Sequence, residues 1–146
     1  MAAGRKRIKA VARMQARGWV PGASRLARVT DPEKRRIVAA CEAFISDVLK
    51  PRFLPQIVPT KFNYAIDIRG VGAGGRYRFV QRYRSGHESN RGEEFDAPFA
   101  RIDCVGRDLF DIYWMRHTGK WWRLYTCVTL AEALQILETD GILHPV

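Results

Sequence analysis

Basic residues recur at helical spacing near the start of the chain. Arg5, Lys9, Arg13 and Arg17 are four residues apart, so on a helix they would form one cationic stripe. Like charges at this spacing weaken an isolated helix by about 0.2–0.5 kcal/mol per pair, and bound phosphates would remove that penalty. The pattern predicts an arm that folds on DNA or RNA; the alternative is a solvated, disordered tail. The candidate phosphate ligands of this arm are Arg5, Lys6, Arg7, Lys9, Arg13 and Arg17.

The net charge of +10 is concentrated in the first quarter of the chain. Residues 1–36 contain eleven basic and two acidic residues, a net charge of +9. Residues 37–146 contain 14 basic and 13 acidic residues, a net charge of +1. The interpretation as a nucleic-acid-binding protein therefore depends on the arm, because the rest of the chain is almost neutral.

A second candidate site combines arginines with aromatic residues on one face of a predicted sheet. Alternation places Tyr77, Phe79, Ile112, Trp114, Trp122 and Leu124 on the face that we expect to be core. The opposite face would collect Arg78, Arg82, Arg101, Tyr113, Trp121, Arg123 and Tyr125. Rings that stack bases beside guanidinium groups that bind phosphates would suit a single-stranded nucleic acid. The alternatives are a second packed layer of core or an interface with a protein partner or a second copy of the chain.

Catalytic and metal-binding patterns are weak. The histidines His87, His117 and His144 have no second ligand at metal-binding spacing, so no metal and no cofactor are expected. A metal-dependent, nuclease-like site would have to use Asp96, Asp103, Asp108 and Asp111 with Lys120. No acid-x-Lys pair stands on one predicted strand, so an enzyme ranks third, behind a nucleic-acid-binding module and an interaction module.

The compartment follows from cysteine use and from the lack of long apolar runs. Cys41, Cys104 and Cys127 are far apart and odd in number, which argues against a disulfide scaffold. No apolar run approaches the ~18 residues that a membrane-spanning helix needs. We expect a cytoplasmic protein. The arginine-rich, acid-free start also suits a mitochondrial presequence, but it is poor in serine.

The elements that would position these residues can be read from periodicity and caps. Asp31-Pro32-Glu33 predicts the start of an amphipathic helix that ends at Lys50-Pro51. Strands are predicted over residues 62–69, 76–84, 99–105, 109–116 and 120–126, with a glycine turn at 70–75 and a mobile loop at 85–96. Thr129 and Glu132 form a capping box for a last helix that Gly141 closes.

Together these elements predict an α+β fold. It has an amphipathic helix, an antiparallel β-meander of about five strands and a C-terminal capped helix. The basic arm and linker cover residues 1–30, and a single domain covers residues 31–146.

Several of these segments resemble one bacterial family. The resemblance rests on Cys41-Glu42-Ala43-Phe44 before a proline-rich connector, on Asp111-Ile112-Tyr113-Trp114-Met115-Arg116, on Lys120-Trp121-Trp122 with Tyr125, and on the helix over residues 130–140. From residue 38 to the C-terminus the chain resembles the family known as domain of unknown function 3024. The resemblance implies a fold unit and no activity, and it does not include the basic arm.

Overall fold

One helical segment, a five-stranded antiparallel sheet and a final helix follow one another along the chain. The computed structural model describes residues 25–146. Helix α1 (Asp31–Phe44) continues through a π-helical turn (Ile45–Leu49) into the short helix α2 (Lys50–Phe53). The other elements are β1 (Asn63–Ala73), β2 (Arg76–Ser85), β3 (Glu94–Gly106), β4 (Leu109–Met115), β5 (Trp121–Val128) and α3 (Leu130–Thr139). The strands lie in the order β1-β2-β3-β4-β5, which confirms the predicted α+β meander.

Both long helices begin with a capping box. Thr30 caps α1, with its side chain accepting from the Glu33 N–H while the Glu33 carboxylate accepts from the Thr30 N–H. Thr129 and Glu132 make the same reciprocal pair at α3, as predicted. The cap of α1 therefore lies one residue before the predicted Asp31, which becomes the first helical residue.

The first helical segment passes its proline instead of ending there. A π-helical turn, in which the Lys50 N–H donates to the Ile45 carbonyl, precedes Pro51. In a regular α-helix the proline ring would meet the carbonyl four residues earlier, and the wider turn relieves that clash. The helical segment consequently extends to Phe53.

The glycine run belongs mostly to a strand, so the prediction of a turn over residues 70–75 was too wide. Strand β1 continues to Ala73, and only Gly74 and Gly75 form the tight turn, with Gly74 at a φ of +61°. A Cβ atom on Gly70 would overlap the hydroxyl of Tyr77 on the neighbouring strand. Glycine at position 70 therefore makes room for a buried tyrosine.

The predicted loop over residues 85–96 is shorter in the structure, because β2 includes Ser85 and β3 begins at Glu94. Glu94 and Asp96 already belong to β3, opposite Arg84 and Arg82. The connection before them contains a 3-10 turn (Glu88–Asn90) and is closed by backbone hydrogen bonds from Ser85 to Glu93 and from Gly92 to Ser85. The polar composition of these residues suggested a loop. The ion pairs between β2 and β3 join residues of two different strands, so the sequence of one strand does not reveal them.

The core occupies one face of the sheet. All three parts of the first helical segment and α3 contribute to packing against that face. Its central members are Ile37, Cys41, Phe44, Phe79, Ile102, Ile112, Ala133 and Leu137. The predicted core residues Trp114 and Leu124 are only partly buried against this cluster. The opposite surface is called here the second face.

Candidate nucleic-acid interface

The predicted arm ligands Arg5, Lys6, Arg7, Lys9, Arg13 and Arg17 lie outside the described residues. What the structure shows is where the arm joins the domain. The Ala27 N–H donates to the Cys104 carbonyl at 2.9 Å, and the Cys104 N–H donates to the Gly75 carbonyl at 2.7 Å. The chain therefore enters the domain at the end of the sheet that carries the β1–β2 turn.

Basic side chains surround this entry point. Arg25, Arg28 and Arg35 are exposed, and none of them forms an ion pair with another residue in the range 25–146. Arg107, in the β3–β4 turn, is also exposed. The pKa of Glu33 is lowered, first by its capping hydrogen bonds with Thr30 and then by the nearby guanidinium groups of Arg36 and Arg107. This basic end (Arg25, Arg28, Arg35 and Arg107) continues the charge of residues 1–24 through the linker and onto the folded domain.

The second face aligns several of the predicted sheet residues in one row. Arg78 pairs with Arg101, Arg101 with Tyr113, and Tyr113 with Arg123 across four strands. Trp121 lies on the same face, beside Met115. Of the predicted phosphate ligands of the sheet, only Arg78 is exposed without an ion pair to any other described residue.

Arg101 forms the centre of a buried cluster on this face. Only 5% of Arg101 is exposed, and its guanidinium donates to both carboxylate oxygens of Asp103, at 2.9 and 3.1 Å. It lies 4.0 Å from the centre of the Tyr113 ring and 4.9 Å from that of Trp121. Arg76 donates to the same carboxylate at 3.1 Å. The face of Tyr113 that a base would stack on is therefore covered by an arginine of the chain itself, and Tyr113 is buried.

Arg82 belongs to an ion-pair ladder between β1, β2 and β3. Its guanidinium donates to Glu94 at 3.0 Å and to Asp96 at 2.9 Å. Arg84 donates to Glu94 and Arg69 to Asp96. The pKa of Glu94 is held below its usual value, first by the hydrogen bond from Arg84 and then by that from Arg82. A phosphate would have to displace these carboxylates to reach Arg82.

Arg123 and Tyr125 have different surroundings, although both were predicted on the second face. Arg123 lies 3.4 Å from Asp111, whose other carboxylate oxygen accepts from the Cys127 N–H. Tyr125 is part of the core and donates its hydroxyl to Asp140. The strand is irregular at Leu124, since Arg123 pairs with Tyr113 whereas Tyr125 pairs with Ile112. This extra residue sends Tyr125 to the opposite face, so its predicted placement was wrong.

The β4–β5 hairpin carries aromatic rings on both faces. Trp114 and Trp122 pack with ring centres 6.4 Å apart, and the Arg116 guanidinium lies 4.4 Å above the Trp122 ring. Trp122 is half-buried and lies outside the core cluster, contrary to its predicted core position. Rings and arginines at a half-buried surface are typical of interaction sites.

The carboxylates considered for a nuclease-like site are engaged elsewhere. Asp96 and Asp103 bind arginines, and Asp108 accepts from Arg36 and from the Leu130 N–H. Within residues 25–146, no three His, Cys, Asp or Glu side chains are grouped as a metal site would require.

Sequence reasoning missed Phe62. It was placed in the first predicted strand, over residues 62–69, but it precedes β1 and is exposed beside Lys61 and His87. The preceding Pro59 and the adjacent lysine are the only sequence signals that could have suggested exposure.

In the part of the chain that the structure covers, no helix has the length and apolar character needed to cross a membrane.

Comparisons with known proteins give a family and no further relative. Neither the curated proteins nor the solved structures that we searched contain a match to this chain. A family model does match residues 29–145, from the cap of α1 to the end of the described fold. The match starts nearer the N-terminus than the predicted residue 38 and leaves out residues 1–28. The chain therefore belongs to the family described as Domain of unknown function (DUF3024).

Proposed function

We propose that this protein is a non-enzymatic, nucleic-acid-associated module whose basic N-terminal arm binds phosphates. The observation that carries the proposal is the concentration of basic residues at the start of the chain. Residues 1–24 contain six basic residues and no acidic residue. Phosphate contacts from such a segment supply affinity without sequence selectivity, so DNA and RNA are both suitable ligands.

The ion pairs of the domain support the arm as the main contact. Arg76, Arg82, Arg101 and Arg123 all lie near carboxylates. Because phosphates would compete with these carboxylates, the sheet is a poor electrostatic surface on its own. The second face is therefore proposed as a secondary contact at most, through Arg78.

The geometry of the arm junction supports a continuous basic track. The arm meets the domain at the basic end, where Arg25, Arg28, Arg35 and Arg107 are exposed. A nucleic acid bound along the arm would reach these side chains without having to cross the ion-pair ladder of Glu94 and Asp96, whose arginines are already paired, at the other end of β3.

The test is the salt dependence of binding by full-length and truncated protein. The truncation should remove residues 1–24 only, because Ala27 bonds to Cys104 and Thr30 caps α1. If all six arm cations of residues 1–24 contact a duplex, the logarithm of the affinity should fall by about five for each tenfold rise in salt. A full-length variant with these six residues changed to glutamine is the matched control. Equal binding by all three proteins would contradict the proposal.

A second candidate function is self-association or binding of a protein partner through the β4–β5 hairpin. The observation in its favour is the half-buried group of Trp114, Trp121, Trp122 and Arg116 on one hairpin. Such residues dominate the energetics of interfaces. Sizing chromatography of Trp122→Ala against the unchanged protein tests it: a dimer that becomes a monomer supports an interface, and an unchanged monomer argues against self-association.

A further inference from the structure

An open depression lies at the end of the sheet opposite the arm junction. It forms where the connector before β1 meets the connection between β2 and β3, next to the pairing of Asn63 with Ser85. Its volume is about 820 Å³. Its lining includes Lys61, Phe62, Gly86, His87, Glu88 and Arg91.

The aromatic surface of this depression is Phe62. Its exposed fraction is 57%, which is high for a large apolar side chain. The His87 ring meets it edge to face, with ring centres 5.9 Å apart and an interplanar angle of 72°. The Lys61 ammonium lies 5.3 Å from the centre of the Phe62 ring. An exposed ring beside a cation is the combination that stacks a base and binds its phosphate.

The backbone holds these side chains in place. The Gly86 N–H donates to the Phe62 carbonyl at 2.9 Å. A Cβ atom on Gly86 would overlap the Thr60 carbonyl oxygen, so this close approach requires glycine. The Ser85 hydroxyl lies 2.6 Å from the Asn90 side-chain oxygen and accepts from the His87 N–H at 3.2 Å. The depression is therefore formed before any ligand arrives, which lowers the entropic cost of binding.

The charges of the depression favour an anionic ligand. Lys61 and Arg91 form no ion pair with any other residue of the described range 25–146. Glu88 is the one acidic residue among the described residues that line the depression, so the net charge of the lining is positive. A lysine beside the central ring disfavours an apolar protein surface as the ligand, because lysine is depleted from protein–protein interfaces.

We propose that this depression is a subsite for one unstacked base of a single-stranded nucleic acid. The base stacks on Phe62, and the flanking phosphates lie at Lys61 and Arg91. A duplex presents an unstacked base only after unpairing and unstacking it, which costs free energy, so the subsite favours single strands over duplexes. This inference rests on the proposed nucleic-acid function and adds a preference that the arm alone cannot supply.

The test compares Phe62→Ala with the unchanged full-length protein on fluorescent oligothymidine and on a duplex of equal length. Loss of one base–ring stack should weaken single-strand binding by about 5- to 150-fold and leave duplex binding unchanged. Phe95→Ala is the matched control, because Phe95 is also exposed, at 42%, but stacks on Tyr83 outside the depression. Thermal melts of both variants check that they remain folded.

Charge variants provide a second measurement of the same subsite. Lys61→Gln and Arg91→Gln should each weaken oligothymidine binding. Each should also make the logarithm of the affinity fall less steeply with the logarithm of the salt concentration, by the contribution of about one phosphate contact. Glu88→Gln should strengthen it, because a carboxylate near the phosphates is removed. A folded Phe62→Ala protein with unchanged oligothymidine affinity would overturn the subsite.

The two proposals fail in different ways. If the variant with a neutral arm loses all binding while Phe62→Ala loses none, the arm stands and the subsite is wrong. If the variant with a neutral arm binds oligothymidine fully and Phe62→Ala does not, the subsite stands and the arm is wrong. Binding of oligoglutamate that depends on Phe62, without binding of oligothymidine, would overturn the subsite in favour of an acidic protein partner.

Discussion

The buried Arg101–Asp103 pair makes a sharp prediction about stability. Asp103 is completely buried and accepts three hydrogen bonds: one from Arg101 at each carboxylate oxygen, and one from Arg76 at Oδ1. Asp103→Asn keeps the shape of the side chain but removes its charge, and it leaves Arg101 buried between Tyr113 and Trp121 without a counter-ion. Removing one partner of a buried ion pair costs about 3–5 kcal/mol. That is a large part of the 5–15 kcal/mol by which an ordinary domain is stable.

The assay is urea denaturation followed by tryptophan fluorescence and circular dichroism. The matched control is Asp96→Asn, which removes the same charge from a carboxylate that pairs with Arg69 and Arg82 but is 35% exposed. Solvent screens these pairs, so we expect a loss of no more than about 1 kcal/mol. The double replacement Arg101→Met with Asp103→Leu should change stability little, because it removes both buried charges and Arg76 can turn towards water. Equal losses for Asp103→Asn and Asp96→Asn would refute the reasoning.

Three further predictions concern the core and its boundaries. Gly70→Ala should destabilise the fold by about 1–3 kcal/mol because its methyl group would displace the buried Tyr77. Gly72→Ala should cost less, because a Cβ atom there would meet its nearest atoms at 3.5 Å. Thermal melts of the two variants test this difference. Thr129→Ala should cost about 1 kcal/mol in urea denaturation, since it removes the cap of α3, and an unchanged midpoint would count against the capping box. Burial raises the pKa of Cys41 from 9.0 to about 12, so the unfolded state loses this proton first and stability should fall as the pH rises above about 9. Cys41→Ala should reduce that alkaline loss when midpoints are compared across the pH range.

For the arginine-rich strands, the sequence and the tertiary structure lead to different inferences about function. Arginine between aromatic residues suggested a surface for nucleic-acid bases. In the folded domain, Arg101 is paired with a carboxylate and lies against the rings, and Arg82 is paired in the same way with acids of β3. Glu94 and Asp96 stand twelve and fourteen residues away from Arg82, so the pairing becomes visible only when the strand register is known.

Local sequence signals predicted the elements well. The capping box of Thr129 and Glu132, the apolar face of α1 and the alternation in β2 and β4 involve residues within a few positions of one another, so the sequence contains the whole signal. Short turns between consecutive strands also made a meander the natural topology, and the structure confirms it. The resemblance to the family also predicted one fold unit over most of the chain.

What only the tertiary structure decided depends on contacts between distant residues. The irregularity at Leu124 moves Tyr125 into the core, and Tyr77 needs Gly70 inside a strand rather than in a turn. Phe62 is exposed because the connector packs against Gly86 through its backbone. By itself, the sequence determined the helices, the number of strands and the separation of charge between the arm and the domain, because these follow from neighbours along the chain. The tertiary structure decided which arginines remain available to a phosphate, because a side chain's partner is set by strand register and burial.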